Sequence, residues 1–86
     1  MKDVKIIYYV DTADNYKSSI IAFDANKNLK SMDVIEQIGK TLEEHGFGKR
    51  GVCNSIAWEL VYHGSAHHEC LWGKYDFGIE KVKKGD

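Results

Sequence analysis

Ile56-Ala57-Trp58-Glu59-Leu60-Val61-Tyr62-His63, followed by Gly64-Ser65, is the stretch on which the fold turns. Ile56, Trp58, Leu60 and Tyr62 alternate with Ala57, Glu59, Val61 and His63, the two-residue period of a strand with one buried face. Gly64-Ser65 has the composition of a type II′ hairpin turn. The stretch therefore reads as a strand, a turn and a returning strand from His67 to Trp72. A two-residue turn would set Leu60 opposite Glu69 and Trp58 opposite Leu71. An odd loop, Gly64-Ser65-Ala66 with a bulge, would set Trp58 opposite Trp72 and Leu60 opposite Cys70. The odd loop is favoured, because a slip of one residue moves every side chain to the other face. It turns Glu59, His63, His67 and Glu69 outward.

Working back from this stretch, Gly48-Lys49-Arg50-Gly51 reads as a short basic glycine loop. Before it, Ser31 to His45 is the clearest helix. Ser31 can cap its N-terminus, and Asp33 sits in the first turn, where the helix dipole favours an acid. Val34, Ile35, Ile38 and Leu42 share one face. Gly46 falls where a left-handed residue ends a helix, and Phe47 follows to pack back on Leu42. Gly39 costs ~1 kcal/mol against Ala in mid-helix, which a close approach to the sheet would explain. Lys5 to Val10 reads as a strand that is central or covered on both faces, because both parities are apolar. Asp11-Thr12-Ala13-Asp14-Asn15 is turn composition, and Ser18 to Phe23 is the return arm. Asp24 to Lys30 reads as a loop. Downstream of Gly73, Tyr75, Phe77 and Ile79 alternate as a last strand.

The order β-β-α-β-β(-β) implies a two-layer α+β domain: one antiparallel sheet with a single helix packed on one face. Residues 1–86 make one domain, with 81–86 as a basic tail. One helix cannot cover such a sheet, so part of it is expected to be exposed. With 43% apolar residues, and three Phe, five Tyr and two Trp, the chain can form a real core.

The net charge of −1 leaves no strongly basic half to grip phosphates and no acidic block. No apolar run approaches the ~20 residues that cross a bilayer, and no signal peptide is visible. The expectation is a cytoplasmic protein with no membrane partner. Two cysteines, Cys53 and Cys70, fit reduced thiols in that compartment better than a disulfide framework.

Metal-binding and acid–base groups concentrate at the hairpin. His63, His67 and Glu69 are the candidates for a metal site, with Glu59 nearby. No C-x2-C or H-E-x-x-H pattern supports them, and adjacent His67 and His68 point to opposite faces of a strand. Surface histidines are the favoured reading, and no cofactor is called for. Cys53 lies in no nucleophile signature and reads as a core residue. The glycine loop follows a helix instead of opening one, so it does not match a phosphate loop.

These features point to a non-enzymatic module that binds a larger protein, an inhibitor or regulator by occlusion. Tyr62, His63, His67, Lys49 and Arg50 are the candidate contact residues. In size and layout alone, on no residue motif, the chain resembles small phage-encoded inhibitors such as anti-CRISPR proteins, and immunity proteins. A homodimer through a strand edge is an alternative partner. Two other readings stand behind these. One is a nucleic-acid-binding domain using Lys49, Arg50 and the lysine tail, and the other is a metal-binding protein using the His/Glu hairpin.

Overall fold

A computed structural model describes residues 2–84 of the chain. Its elements are β1 (Lys2–Asp11), β2 (Tyr16–Asp24), α1 (Met32–Glu44), α2 (Arg50–His63), β3 (Ser65–Cys70) and β4 (Gly73–Lys84). The strands form one antiparallel sheet in the order β2-β1-β4-β3. The α+β class and the antiparallel sheet agree with the sequence reading, and β1 is central.

The single helix expected from the sequence is in fact two. Residues 50–63 form α2, and the alternating pattern of Ile56 to His63 does not mark a strand. The inward residues of α2 are Cys53, Ile56, Ala57, Leu60 and Val61, a stripe at i, i+3, i+4, i+7 and i+8. Ile56 and Leu60 belong to both the two-residue and the helical pattern. Trp58 and Tyr62, the other two members of the apparent alternation, form a second, outward stripe at i, i+4. Gly64 is correspondingly a helix stop and not a hairpin turn. It takes φ 85°, and its N–H donates to Leu60 O. The pairings of Trp58 with Trp72 and Leu60 with Cys70 therefore do not exist. The hairpin joins β3 and β4 instead, with Cys70 opposite Gly73 and Leu71-Trp72 as its turn.

Helix α1 forms as its sequence dictates. Ser31 Oγ accepts from Val34 N–H at 3.4 Å. At the other end, Gly46 N–H donates to Glu43 O and Phe47 N–H to Leu42 O, the paired bonds of the left-handed stop. Gly46 has φ 88°. Gly39 does serve a close approach, but to α2 and not to the sheet. A Cβ there would overlap Asn54 Oδ1.

Both helices cover one face of the sheet. Val34, Ile35, Ile38 and Leu42 of α1 and Cys53, Ala57 and Leu60 of α2 are buried over Ile7, Ala66 and Phe77. Phe47 is the hub of an aromatic cluster at one end. It meets Tyr9, Tyr75 and Phe77 edge-on, with ring centroids 5.0–5.1 Å apart. The β1–β2 turn is tied by Ala13 N–H to Asp11 Oδ1, and Asn15 takes φ 55°. Ile20 is the extra residue of a bulge, since Ile7 faces Ile21 and Tyr8 faces Ser19. Strand β4 runs on through residues that the sequence reading placed in a basic tail; Gly85 and Asp86 lie outside the described residues.

Among the described residues, no helix lies on the opposite face of the sheet. Polar bridges cover part of it. Lys17 Nζ pairs with Glu80 at 2.9 Å and lies over the Tyr8 ring, 4.3 Å from its centroid. No helix among the described residues is long and apolar enough to cross a membrane.

Candidate interaction surface

Three turns meet at one end of the sheet. Thr12 in the β1–β2 turn donates its N–H and its hydroxyl to Lys74 O, just beyond the β3–β4 turn. The α1–α2 loop closes over the same end, where His45 stacks on Phe47. Between loop and hairpin lies a groove of about 340 Å3, walled by Tyr9, His45, Phe47, Cys70, Trp72 and Tyr75. The hairpin turn projects beyond the groove. There Leu71 is 100% exposed and Trp72 81% exposed. Tyr16 at the start of β2 is also exposed and meets Tyr9 at 6.5 Å. Burial pushes the Tyr75 hydroxyl above the usual phenol range, and the nearby Asp11 carboxylate adds to the effect.

The β3–β4 register places Leu71 and Trp72 here. Ala66 faces Phe77 and His68 faces Tyr75 on the helix side of the sheet. His67 and Glu69 therefore face the open side. Two residues remain between Cys70 and Gly73, and both are large and apolar. Turn chemistry favours Gly, Asn or Asp at such positions, so local conformation does not account for leucine and tryptophan there.

The residues singled out from the sequence do not form one site. Tyr62 and His63 lie on the outer face and last turn of α2. Tyr62 stacks on Trp58, centroids 4.6 Å apart and planes 11° from parallel. Lys49 occupies the N-cap position of α2 without a side-chain capping bond. Arg50 begins the helix and pairs with Glu43 at 2.8 Å. The basic glycine loop is thus partly helical, and one of its two charges is already matched. His67 and His63 do not face each other across a hairpin, because His63 belongs to α2 and His67 to the open face of β3.

His67 instead sits between two carboxylates. Its Nδ1 lies 2.6 Å from Asp76 Oδ1, and its Nε2 lies 2.9 Å from Glu69 Oε2. Both ring nitrogens donate when the imidazole is protonated. Hydrogen bonds to Asp76 and then Glu69 hold its pKa above the usual imidazole value. In return the His67 hydrogen bond, aided by Lys74, holds Glu69 below the ordinary carboxylate range. Among the described residues, no group of three His, Cys, Asp or Glu side chains is placed to hold a metal ion.

Cys53 is fully buried on α2. Its thiol donates to Gly48 O at 3.5 Å. Burial raises its pKa, and the Glu43 carboxylate raises it further, so it remains a neutral thiol. Cys70 is half-buried, and both cysteines are free. Sequence reasoning missed Leu71 and Trp72 because it placed them inside a strand. The signal that finds them is Gly64 read as a helix stop, which moves the hairpin turn seven residues downstream.

No family model matches the chain, and neither does any curated protein or solved structure.

Proposed function

We propose that this protein is a non-enzymatic binding module that docks on a larger protein through the end of the sheet bearing the β3–β4 turn. Leu71 and Trp72 are the anchors, and the groove beside them, with Tyr16 and His45 at its margin, is the surrounding surface. The observation that carries the reading is the exposure of two consecutive large apolar side chains at a turn that does not need them. Tryptophan is enriched among residues that dominate binding energy, and one buried aromatic side chain covers roughly 150–250 Å2. Occupying a surface of the partner would make the module a regulator or inhibitor by occlusion. This keeps the functional class inferred from the sequence and moves its contact residues from Tyr62, His63, His67, Lys49 and Arg50 to Leu71 and Trp72.

The test compares affinity capture by the native chain with capture by Leu71→Ala/Trp72→Ala, followed by a binding titration against the protein recovered. Both side chains are in solvent, so the substitution should move stability by no more than ~0.5 kcal/mol. Affinity should fall by roughly 30-fold or more, the equivalent of about 2 kcal/mol at a hot spot. Equal affinity of the two chains for that partner would sink the proposal.

A further inference from the structure

At the opposite end of the sheet, Lys5, Lys27, Lys30 and Lys81 converge on a cavity of about 520 Å3 floored by Leu29, Val61 and Ile79. Lys5 of β1 and Lys81 of β4 are direct cross-strand partners. Like charges placed opposite each other destabilise a sheet. Lys27 and Lys30 come from the loop before α1, and Lys5 Nζ donates to Lys27 O at 3.2 Å, which holds that loop over the strands. Among the described residues no carboxylate lines the cavity, and none of the four ammonium groups is ion-paired. Among the described residues, Lys17 pairs with Glu80 and Arg50 with Glu43, both away from this cavity. Four unmatched cations around one hollow, in a chain of net charge −1, are a local arrangement and not a general basicity.

A second feature adjoins the first. Val61 lines the cavity, and the next residue, Tyr62, belongs to the exposed Trp58–Tyr62 stack. Lys30 spans the two, with its Nζ 5.3 Å from the Tyr62 ring centroid. A hollow of this volume falls in the range that holds small ligands. Converging ammonium groups suit a multiply charged phosphate, and a flat exposed aromatic surface suits a base.

We propose that the cavity binds the phosphate groups of a nucleotide unit, with the base against the Trp58–Tyr62 stack. The unit can come from a free nucleotide or from a single strand of nucleic acid, which present the same chemistry. The site lies at the other end of the sheet from Leu71 and Trp72, so it stands independently of the protein-docking reading. Of the residues considered from the sequence for nucleic-acid binding, Lys49, Arg50 and the lysine tail, only Lys81 takes part.

The experiment is an amide NMR titration at low salt with a nucleoside triphosphate, pyrophosphate and a short single-stranded oligonucleotide. Saturable shifts are expected in residues 27–30, Val61 and residues 79–81. Lys5→Gln/Lys81→Gln should weaken binding by about tenfold or more, since each lost phosphate contact removes released counterions. Lys27→Gln/Lys30→Gln, confined to the loop, should do the same without touching the sheet. Lys49→Gln/Arg50→Gln should leave binding unchanged. The triphosphate should bind at least roughly threefold tighter than pyrophosphate, and Trp58→Ala should erase that margin. An oligonucleotide affinity well above that of the triphosphate, with a steep salt dependence, identifies the strand as the source; the reverse order identifies the free nucleotide. The proposal is overturned if none of the three ligands shifts these residues, or if both lysine pairs can be replaced without loss. It is equally overturned if pyrophosphate binds as tightly as the triphosphate.

Discussion

His67 shows how one side chain sets a pH window. Its folded pKa lies above the unfolded value of about 6.5, so its contribution is complete below that pH and fades as pH rises through the folded value. Glu69 works in the other direction. Its folded pKa is depressed, so its contribution holds above the unfolded value of about 4.3 and is lost as pH falls through the folded one. The carboxylate–imidazole–carboxylate arrangement is therefore strongest between those limits. NMR titration of His67 should give a midpoint above the ordinary imidazole value, and Asp76→Asn should lower it. An unmoved midpoint would show that Asp76 is not the main cause. Gly39 makes a different point at the same scale. Ala would ordinarily gain ~1 kcal/mol over Gly inside a helix. Here its Cβ would overlap Asn54 Oδ1, which is buried without a hydrogen-bond partner. Gly39→Ala should therefore fail to stabilise, and its effect should be more favourable in an Asn54→Ala background by about 0.5 kcal/mol or more. Denaturant midpoints of the four chains in that cycle measure the coupling.

Helix α2 is where the sequence and the structure part. Its inward stripe is as regular as that of α1. Its outward side, however, carries Val52, Trp58 and Tyr62, all substantially exposed. Apolar residues on both sides blur the helical period, and the pairs Ile56/Leu60 and Trp58/Tyr62 together imitate a strand. Helix α1 has charged residues opposite its core face and a Ser31 cap, and so could be read to within a residue at each end. The hairpin of β1 and β2 was legible for similar reasons, from β-branched runs flanking a turn-forming segment. The β3–β4 turn was not legible, because the two residues at its tip, Leu71 and Trp72, are not ones that announce turns. Gly46 and Gly64 are the two stops that decide where the helices end. Gly46→Val and Gly64→Val should each cost ~1 kcal/mol or more, since β-branched side chains resist the left-handed conformation. Thermal or chemical denaturation measures both, and an unchanged midpoint for Gly64→Val would mean that α2 does not stop there.

At the level of the whole molecule, the helices shield one face of the sheet and leave the other to polar bridges. Lys17, Glu80, His67, Asp76 and Glu69 all belong to that open side. Among the described residues, strands β2 and β3 form the two edges of the sheet, and an unpaired strand edge is a template for pairing with another chain. The same strand order governs how the chain comes together. Strand β1 pairs with β2, which follows it at once, and with β4, which closes the described chain. The first hairpin can form early, but the apolar side chains of α1 and α2 have no complete floor until Phe77 and Ile79 arrive. Contacts between such distant parts of a chain form slowly. During synthesis on the ribosome, the nascent chain must therefore expose Ile7, Ile38, Leu42 and Leu60 until β4 clears the exit tunnel. A stalled or prematurely ended translation product lacking β4 would leave those residues uncovered, the kind of exposed apolar surface that chaperones exist to shield.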